Sequence, residues 1–488
     1  MIQMQTLLTF IIYFIFLMGV GIYFYRKTVD VEDYLLGGRG MGSWVTALSA
    51  QASDMSGWLL MGLPGAVYIG GMNQAWIAIG LFIGTCLNWK FVAPRLRVYT
   101  KRTESMTLAS FFEDRFKDPT GLLRVISALI TLLFFTIYSS SGLVAAGKLF
   151  ESMFNIDYTL AVIIGSFVIV LYTFLGGFLA VCWTDLFQGL LMFVAIIVVP
   201  ILAYNYVGGA EAIKEAMLAK EVSTSLISKD FSIMATISTM AWGLGYFGQP
   251  HILARFMSIK SVKKVPEAMK IAVTWVFISL GGAVIVGVIS IPMFDSLASG
   301  NHEKVFIYMI SRLFNPWIGG ILLAAILSAI MSTIDSQLLV SSSTLTEDFY
   351  KRVINKEASD KELMHTGRIC VLLISIIALF LALNPNNTVL GLVAYAWAGF
   401  GAAFGPVVLF ALFSKNTSWQ SALAGMVVGT VVLLIWKQVG LGKIMYEIVP
   451  GFIANVATIL IVNTMVKQTD EDILNDFDEV IEVTDTIA

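Results

Sequence analysis

The amino-acid sequence predicts an all-α protein that crosses a membrane many times, and three observations carry that prediction. Hydrophobic residues make up 57% of the 488 and charged residues only 13%, with a mean hydropathy of +0.82, which ordinary water-soluble domains do not reach. Apolar stretches of spanning length recur along the chain. Lysine and arginine gather in alternate loops between them. The net charge of −2, with no basic stripe interleaved with aromatics, gives nucleic-acid binding no support. Cys86, Cys182 and Cys370 are odd in number and far apart, and His251, His302 and His365 show no i, i+4 spacing, so neither a disulfide framework nor a transition-metal site is expected.

Taken in order, the first stretch runs from Thr6 to Tyr25, and its basic residues Arg26 and Lys27 follow it, the reverse of a cleaved signal peptide. It reads as a retained span with the N-terminus outside. Twelve more stretches follow near 44–69, 73–93, 122–148, 158–178, 185–206, 232–256, 270–293, 314–343, 367–384, 389–413, 419–436 and 447–466. About thirteen spans place the C-terminus in the cytoplasm of a multi-pass cell-membrane protein. The loops then assigned to the inside hold about 23 of the 31 basic residues, as the charge rule requires. The largest outside loop, Gly208 to Asp230, mixes Glu and Lys, and the acidic tail after Lys467 is expected to be disordered.

The second stretch carries a buried acid that needs a reason. Asp54 lies in Ser53-Asp54-Met55-Ser56-Gly57-Trp58, and an ionised Asp at a helix centre costs roughly 2.5 to 3.5 kcal/mol on insertion scales. No Lys, Arg or His lies between Trp44 and Ile69, so its partner is elsewhere in the fold or is a cation from solution. Gly57, Gly62, Pro64 and Gly65 are poor residues for a continuous helix, and unwound carbonyls at membrane depth suit sodium. The alternative is a kinked helix with a structural Asp bonded to neighbouring hydroxyls. Five spans later Ala241 to Pro250 holds three glycines and a proline, a second interrupted span. Such a matched pair points to the midplane site of a secondary transporter, and five being odd, the two halves have opposite topology.

That symmetry divides the chain into 1–43 (first helix and inside loop), 44–206 (first inverted repeat), 207–231 (outside loop), 232–413 (second inverted repeat), 414–466 (two further helices) and 467–488 (tail). In the ninth stretch Ser332, Asp335 and Ser336 stand at i, i+3 and i+4 with Thr333 beside them, a hard-oxygen face fit for an alkali cation. Back-bonding of the hydroxyls to carbonyls one turn earlier is the structural alternative. Asp185 follows two glycines in Trp183-Thr184-Asp185-Leu186-Phe187-Gln188, and reads either as a helix N-cap or as a cation ligand.

These residues carry a resemblance. Asp33 to Arg39, Leu48 to Gly65, the Gly-Gly and Trp-Thr-Asp-x-x-Gln run, Trp242 to Phe256 and Met331-Ser332-Thr333 resemble the solute:sodium symporter family, and within it the bacterial branch that carries proline. The resemblance covers nearly the whole chain. It implies a leucine-transporter-like five-plus-five core and sodium-coupled import of L-proline by alternating access, or of another small amino acid or carboxylate on the same scaffold. It implies sodium ligands at the carbonyls of Ala52, Met55 and Ala329 and the hydroxyls of Ser332 and Thr333, with Asp54 near the ion. It implies proline contacts at Ser56, Gly57, Trp58, Tyr138, Trp242, Tyr246 and Pro250, and a coupling role for Arg39. This chain departs from the proline branch at Asp335 and Ser336, and with Asp185 these make a candidate second cation site. Proline is a zwitterion with an apolar ring, so aromatic walls beside exposed amides suit it. No cofactor is expected beyond sodium as coupling ion, and the partners are proline, sodium and membrane lipid. An enzyme is disfavoured because no nucleophile elbow, His-Glu-x-x-His or phosphate loop lies at a span end.

Overall fold

The computed structural model describes residues 4–28, 30–175, 177–227, 232–297, 301–466 and 468–486. Gly176, Asp230 and Lys467 of the sequence reading lie outside the described residues. Every named element is helical, and ten helices among the described residues are long and apolar enough to cross a membrane. The chain is a multi-pass membrane protein.

Helix α1 (Met4–Tyr25) lies at the periphery, with most of its surface open to lipid, and leads through the short α2 (Val31–Leu36) to the first break. Helix α3 (Ser43–Asp54) stops at Met55, whose ψ of 72° leaves the helical region, and the chain resumes as a π turn at Trp58–Gly62 and α4 (Leu63–Gly70). The break therefore sits directly after Asp54. Pro64 falls in the first turn of α4, where a missing amide costs little. Helices α5 (Ala75–Leu87) and α6 (Ala93–Arg102) run on through a π turn at Asn88–Val92. Then come α7 (Leu108–Phe116), closed by a Thr107–Ser110 capping box, and the long α8 (Leu122–Phe154), α9 (Tyr158–Leu175) and α10 (Phe178–Tyr206).

After α11 (Gly209–Ala219) the second break repeats the plan, with α12 (Ile233–Met240), a 3-10 stretch at Ala241–Gly248 and α13 (Pro250–Ser258). Here glycine permits close approach. A side chain at Gly245 would overlap the Trp397 indole, and one at Gly248 would meet the Phe400 carbonyl. Helices α14 (Val265–Met293), α15 (Val305–Leu313), α16 (Pro316–Ser343), α17 (Asp360–Ala382), α18 (Val389–Phe413), α19 (Trp419–Gln438) and α20 (Ile448–Met465) complete the bundle. The core sits on α16 and α18, each 83% buried over its central window, against 22% for α1. Both pack against the broken helices.

The tail corrects an expectation. It forms α21 (Glu471–Asp485), capped by the Asp470 carboxylate, with Ile473, Phe477 and Val480 buried on one face. Its acids reach Arg102 through Asp476 at 2.7 Å and through Glu479, Lys117 through Asp470 and Asp472 at 3.0 and 2.9 Å, and Lys415 through Asp478 at 3.2 Å. Acidic composition masked a helical period in the three apolar residues, and the basic residues of this face supply the counter-charge.

Candidate functional site

The two breaks meet at Asp54. Its Oδ2 accepts a hydrogen bond from the Tyr246 hydroxyl at 2.5 Å, while Oδ1 is buried and has no partner among the described residues. Its carbonyl, freed by the end of α3, accepts Trp58 Nε1 at 3.0 Å and the Tyr138 hydroxyl at 3.4 Å. The kinked-helix alternative named neighbouring hydroxyls as partners, but Tyr246 comes from the other broken segment. A buried carboxylate oxygen left unbonded costs free energy unless a cation or water meets it, which is the first sign of an ion.

One turn before the break the oxygens converge. Ser332 Oγ lies 2.7 Å from the Ala52 carbonyl and 3.3 Å from that of Ala329, and Thr333 Oγ1 lies 3.3 and 3.2 Å from the same two. Four of the five expected ligands thus share one place, and the fifth, Met55, is the residue at which the helix ends. Hydroxyl and carbonyl oxygens are neutral hard donors, and a hydroxyl turns its lone pairs outward when a cation arrives. The set fits sodium.

The aromatic residues close the space above. Trp58 and Trp242 have ring centroids 6.3 Å apart, Trp242 stacks on Tyr446 at 5.4 Å, and Tyr246 meets Trp397 edge-on at 5.1 Å. Trp397 Nε1 donates to the Trp242 carbonyl at 2.7 Å and Asn88 Nδ2 to that of Tyr246 at 3.1 Å, so the unwound segment is held by side chains where no helix ladder exists. Ser56 Oγ accepts the Trp58 amide, and Pro250 opens α13. Gly57 serves close packing, since a side chain there would meet Ala145 and Ile330. Sequence reasoning missed Trp397, Tyr446, Gln249 and His251. The last two flank Pro250 at the break, and their position beside that proline is the signal in the sequence that marks them. Both ring nitrogens of buried His251 lack partners among the described residues. Replacing Tyr246 by Phe removes a charge-assisted hydrogen bond of about 1.5 kcal/mol, so we expect roughly tenfold weaker sodium dependence of uptake, read from a sodium titration.

Arg255 stands at the candidate second cation site. Its Nη2 lies 3.2 Å from Asp185 Oδ2 and 2.5 Å from Ser336 Oγ, and its Nε donates to Ser49 at 3.0 Å, all fully buried. A guanidinium thus stands where a second ion was expected. Asp335 accepts a hydrogen bond from the Thr173 hydroxyl instead. Asp185 is no N-cap either, because α10 begins at Phe178 after Gly177, two turns earlier.

Arg39 sits on the face that carries most of the basic residues. It pairs with Glu32 at 3.0 Å and donates to the carbonyls of Ser105 at 2.7 Å and Met257 at 3.4 Å. Burial lowers its guanidinium from the ordinary value, with Glu32 opposing. Met41 pairs with Ile259 beside it, so the loop before α3 is tied to the end of α13. On the opposite face a cavity of about 420 Å³, bordered by Gln74, Ser238 and His302, ends at Trp242 and Tyr446.

Freed carbonyls at membrane depth are tolerated only where they line a cavity, and joining them to hydroxyls and an acid suits a cation that travels with a solute. The fold and the site place the protein in the class of ion-coupled secondary transporters. The sequence model of the sodium:solute symporter family matches residues 34–429. The sodium/proline symporter of Escherichia coli is 51% identical over 92% of this chain and 90% of its own length. The high-affinity proline transporter PutP of Bacillus subtilis is 48% identical over 94% of this chain and 98% of its own. A substrate-bound, outward-open sodium-coupled sialic acid symporter shares the fold, with a TM-score of 0.80 at 19% identity over 95% of this chain and 99% of that one. The chain belongs to the sodium:solute symporter family.

Proposed function

We propose that this protein imports L-proline together with sodium across the cell membrane by alternating access. One observation carries the reading: Ser332 and Thr333 of α16 meet the Ala52 carbonyl two residues before Asp54, which is itself bonded to Tyr246 of the second broken segment. An ion bound there touches the first break and α16 directly and reaches the second break through the Asp54–Tyr246 hydrogen bond. Sodium offsets the charge of Asp54 and organises α3 against α16, and the binding of one ligand strengthens the other by the same factor. Proline then lies under Trp58, Tyr138, Trp242 and Tyr246, its ring on aromatic faces and its carboxylate beside Ser56 and Gly57 at the first break.

The N-terminus is outside and the basic face inside. Residues 44–206 and 232–413 are the two inverted repeats, flanked by 1–43, the outside loop 207–231, the helices of 414–466 and the inner tail 467–488. The Arg39 hub closes the inner side and the Trp242–Tyr446 stack the outer side, and the repeats rock between these seals. Arg255 already answers the charge of Asp185, so one sodium accompanies each proline. One inward sodium contributes about 2.3 kcal/mol per 100 mV and about 1.4 more per tenfold gradient, enough for a hundredfold proline gradient.

The test is uptake of radiolabelled proline into proteoliposomes with and without an inward sodium gradient. Accumulation should require sodium with a Hill coefficient of one, unchanged in Asp335→Ala, and should fall in Ser332→Ala. Accumulation that persists when choline replaces sodium defeats the coupling, and absence of proline uptake by folded protein turns the reading to other small carboxylates.

A further inference from the structure

A second polar cavity lies on the inner face, lined by none of the residues assigned to the transport site. It encloses about 770 Å³ between the start of α8 and the π stretch Thr344–Ile354 that extends α16, and it is lined by Arg124, Glu347, Lys351, Arg352 and Lys356 with Gly121. Gly121 has a φ of +71°, and a side chain there would meet the Arg352 guanidinium at 2.9 Å, so the glycine keeps that cation at the wall.

The charges have a definite balance. Arg124 is held by Asp348 at 2.6 Å and Glu113 at 3.3 Å, Arg352 by Glu113, and Lys351 by Glu347 at 3.3 Å. Three acids oppose three cations, and Lys356 is exposed and in excess. The acids fix the guanidiniums, each of which has five N–H donors and so keeps some for a further acceptor. Planar, prepaid guanidiniums beside two lysines match the oxygens of a phosphate.

Position selects the source of that phosphate. Val125 lines the cavity, and Leu129 and Leu133, at i+4 and i+8, continue its face up α8 with Leu122 one turn below; all three leucines are exposed. An apolar strip therefore climbs from the cavity into the hydrocarbon. A free phosphate would use the cavity and leave the strip without purpose. We infer that this cavity binds the headgroup of an anionic phospholipid whose acyl chains lie along Leu122, Leu129 and Leu133. The lipid braces α16, the helix that carries Ser332 and Thr333, against α8. The inference does not depend on which solute is transported.

Native mass spectrometry of the purified full chain tests it, titrating phosphatidylglycerol against phosphatidylcholine. The comparison is between the native chain, Lys351→Gln/Lys356→Gln, and a control, Lys101→Gln/Lys260→Gln, which removes two exposed charges elsewhere on the same face. Two lysines at roughly 1 kcal/mol each predict about thirtyfold weaker phosphatidylglycerol binding in the first variant and near-native binding in the control. Equal losses in both, or none in either, overturn the site. Thermal stabilisation of the native chain by inorganic phosphate, lost in the first variant while phosphatidylglycerol retention is unchanged, overturns the lipid in favour of a free anion.

Discussion

Asp54→Asn lowers the apparent sodium affinity of proline uptake by two to three orders of magnitude while the protein still folds. The asparagine keeps an oxygen for the Tyr246 hydroxyl but loses the charge, and removing one partner of a buried, hydrogen-bonded charge interaction costs about 3 to 4 kcal/mol. The loss exceeds that of Tyr246→Phe because the hydroxyl only orients the carboxylate. A sodium titration of uptake in proteoliposomes, with thermal melting in parallel, separates affinity from folding. A sodium response equal to that of the native chain would mean that Asp54 lies outside the field of the ion.

Arg255→Gln has the largest expected effect on stability. The guanidinium and Asp185 are both fully buried, and removing one partner leaves a bare carboxylate in a low-dielectric interior, a cost of about 3 to 5 kcal/mol. The double variant Asp185→Asn/Arg255→Gln should recover most of that loss, because two neutral amides can bond each other and Ser336. Thermal unfolding of the three proteins in detergent decides it. A double variant no more stable than the single one would show that Arg255 acts mainly through Ser49 and the His251 carbonyl, to which it also donates.

Much was legible in the sequence, and particular residues show why. Gly57 and Pro64, and later Gly245, Gly248 and Pro250, weaken helices by their own covalent structure, so the breaks announce themselves within a few residues. The Ser332-Thr333 pair is visible for the same reason, as hydroxyls within an apolar run. The exact point of the first break was less so. Met55 leaves the helix because its surroundings satisfy the Asp54 carbonyl through Trp58 and Tyr138, and no propensity encodes that.

The sequence by itself determined the membrane class and the two interruptions, since hydropathy and the conformational limits of glycine and proline act locally. The tertiary structure alone decided what each buried charge meets. Asp54 and Tyr246 stand 192 residues apart, Trp397 and Trp242 155, and Arg255 and Asp185 70. Such pairings depend on how helices rotate and pack in three dimensions, and in hydrocarbon every buried polar group must find its partner within the protein.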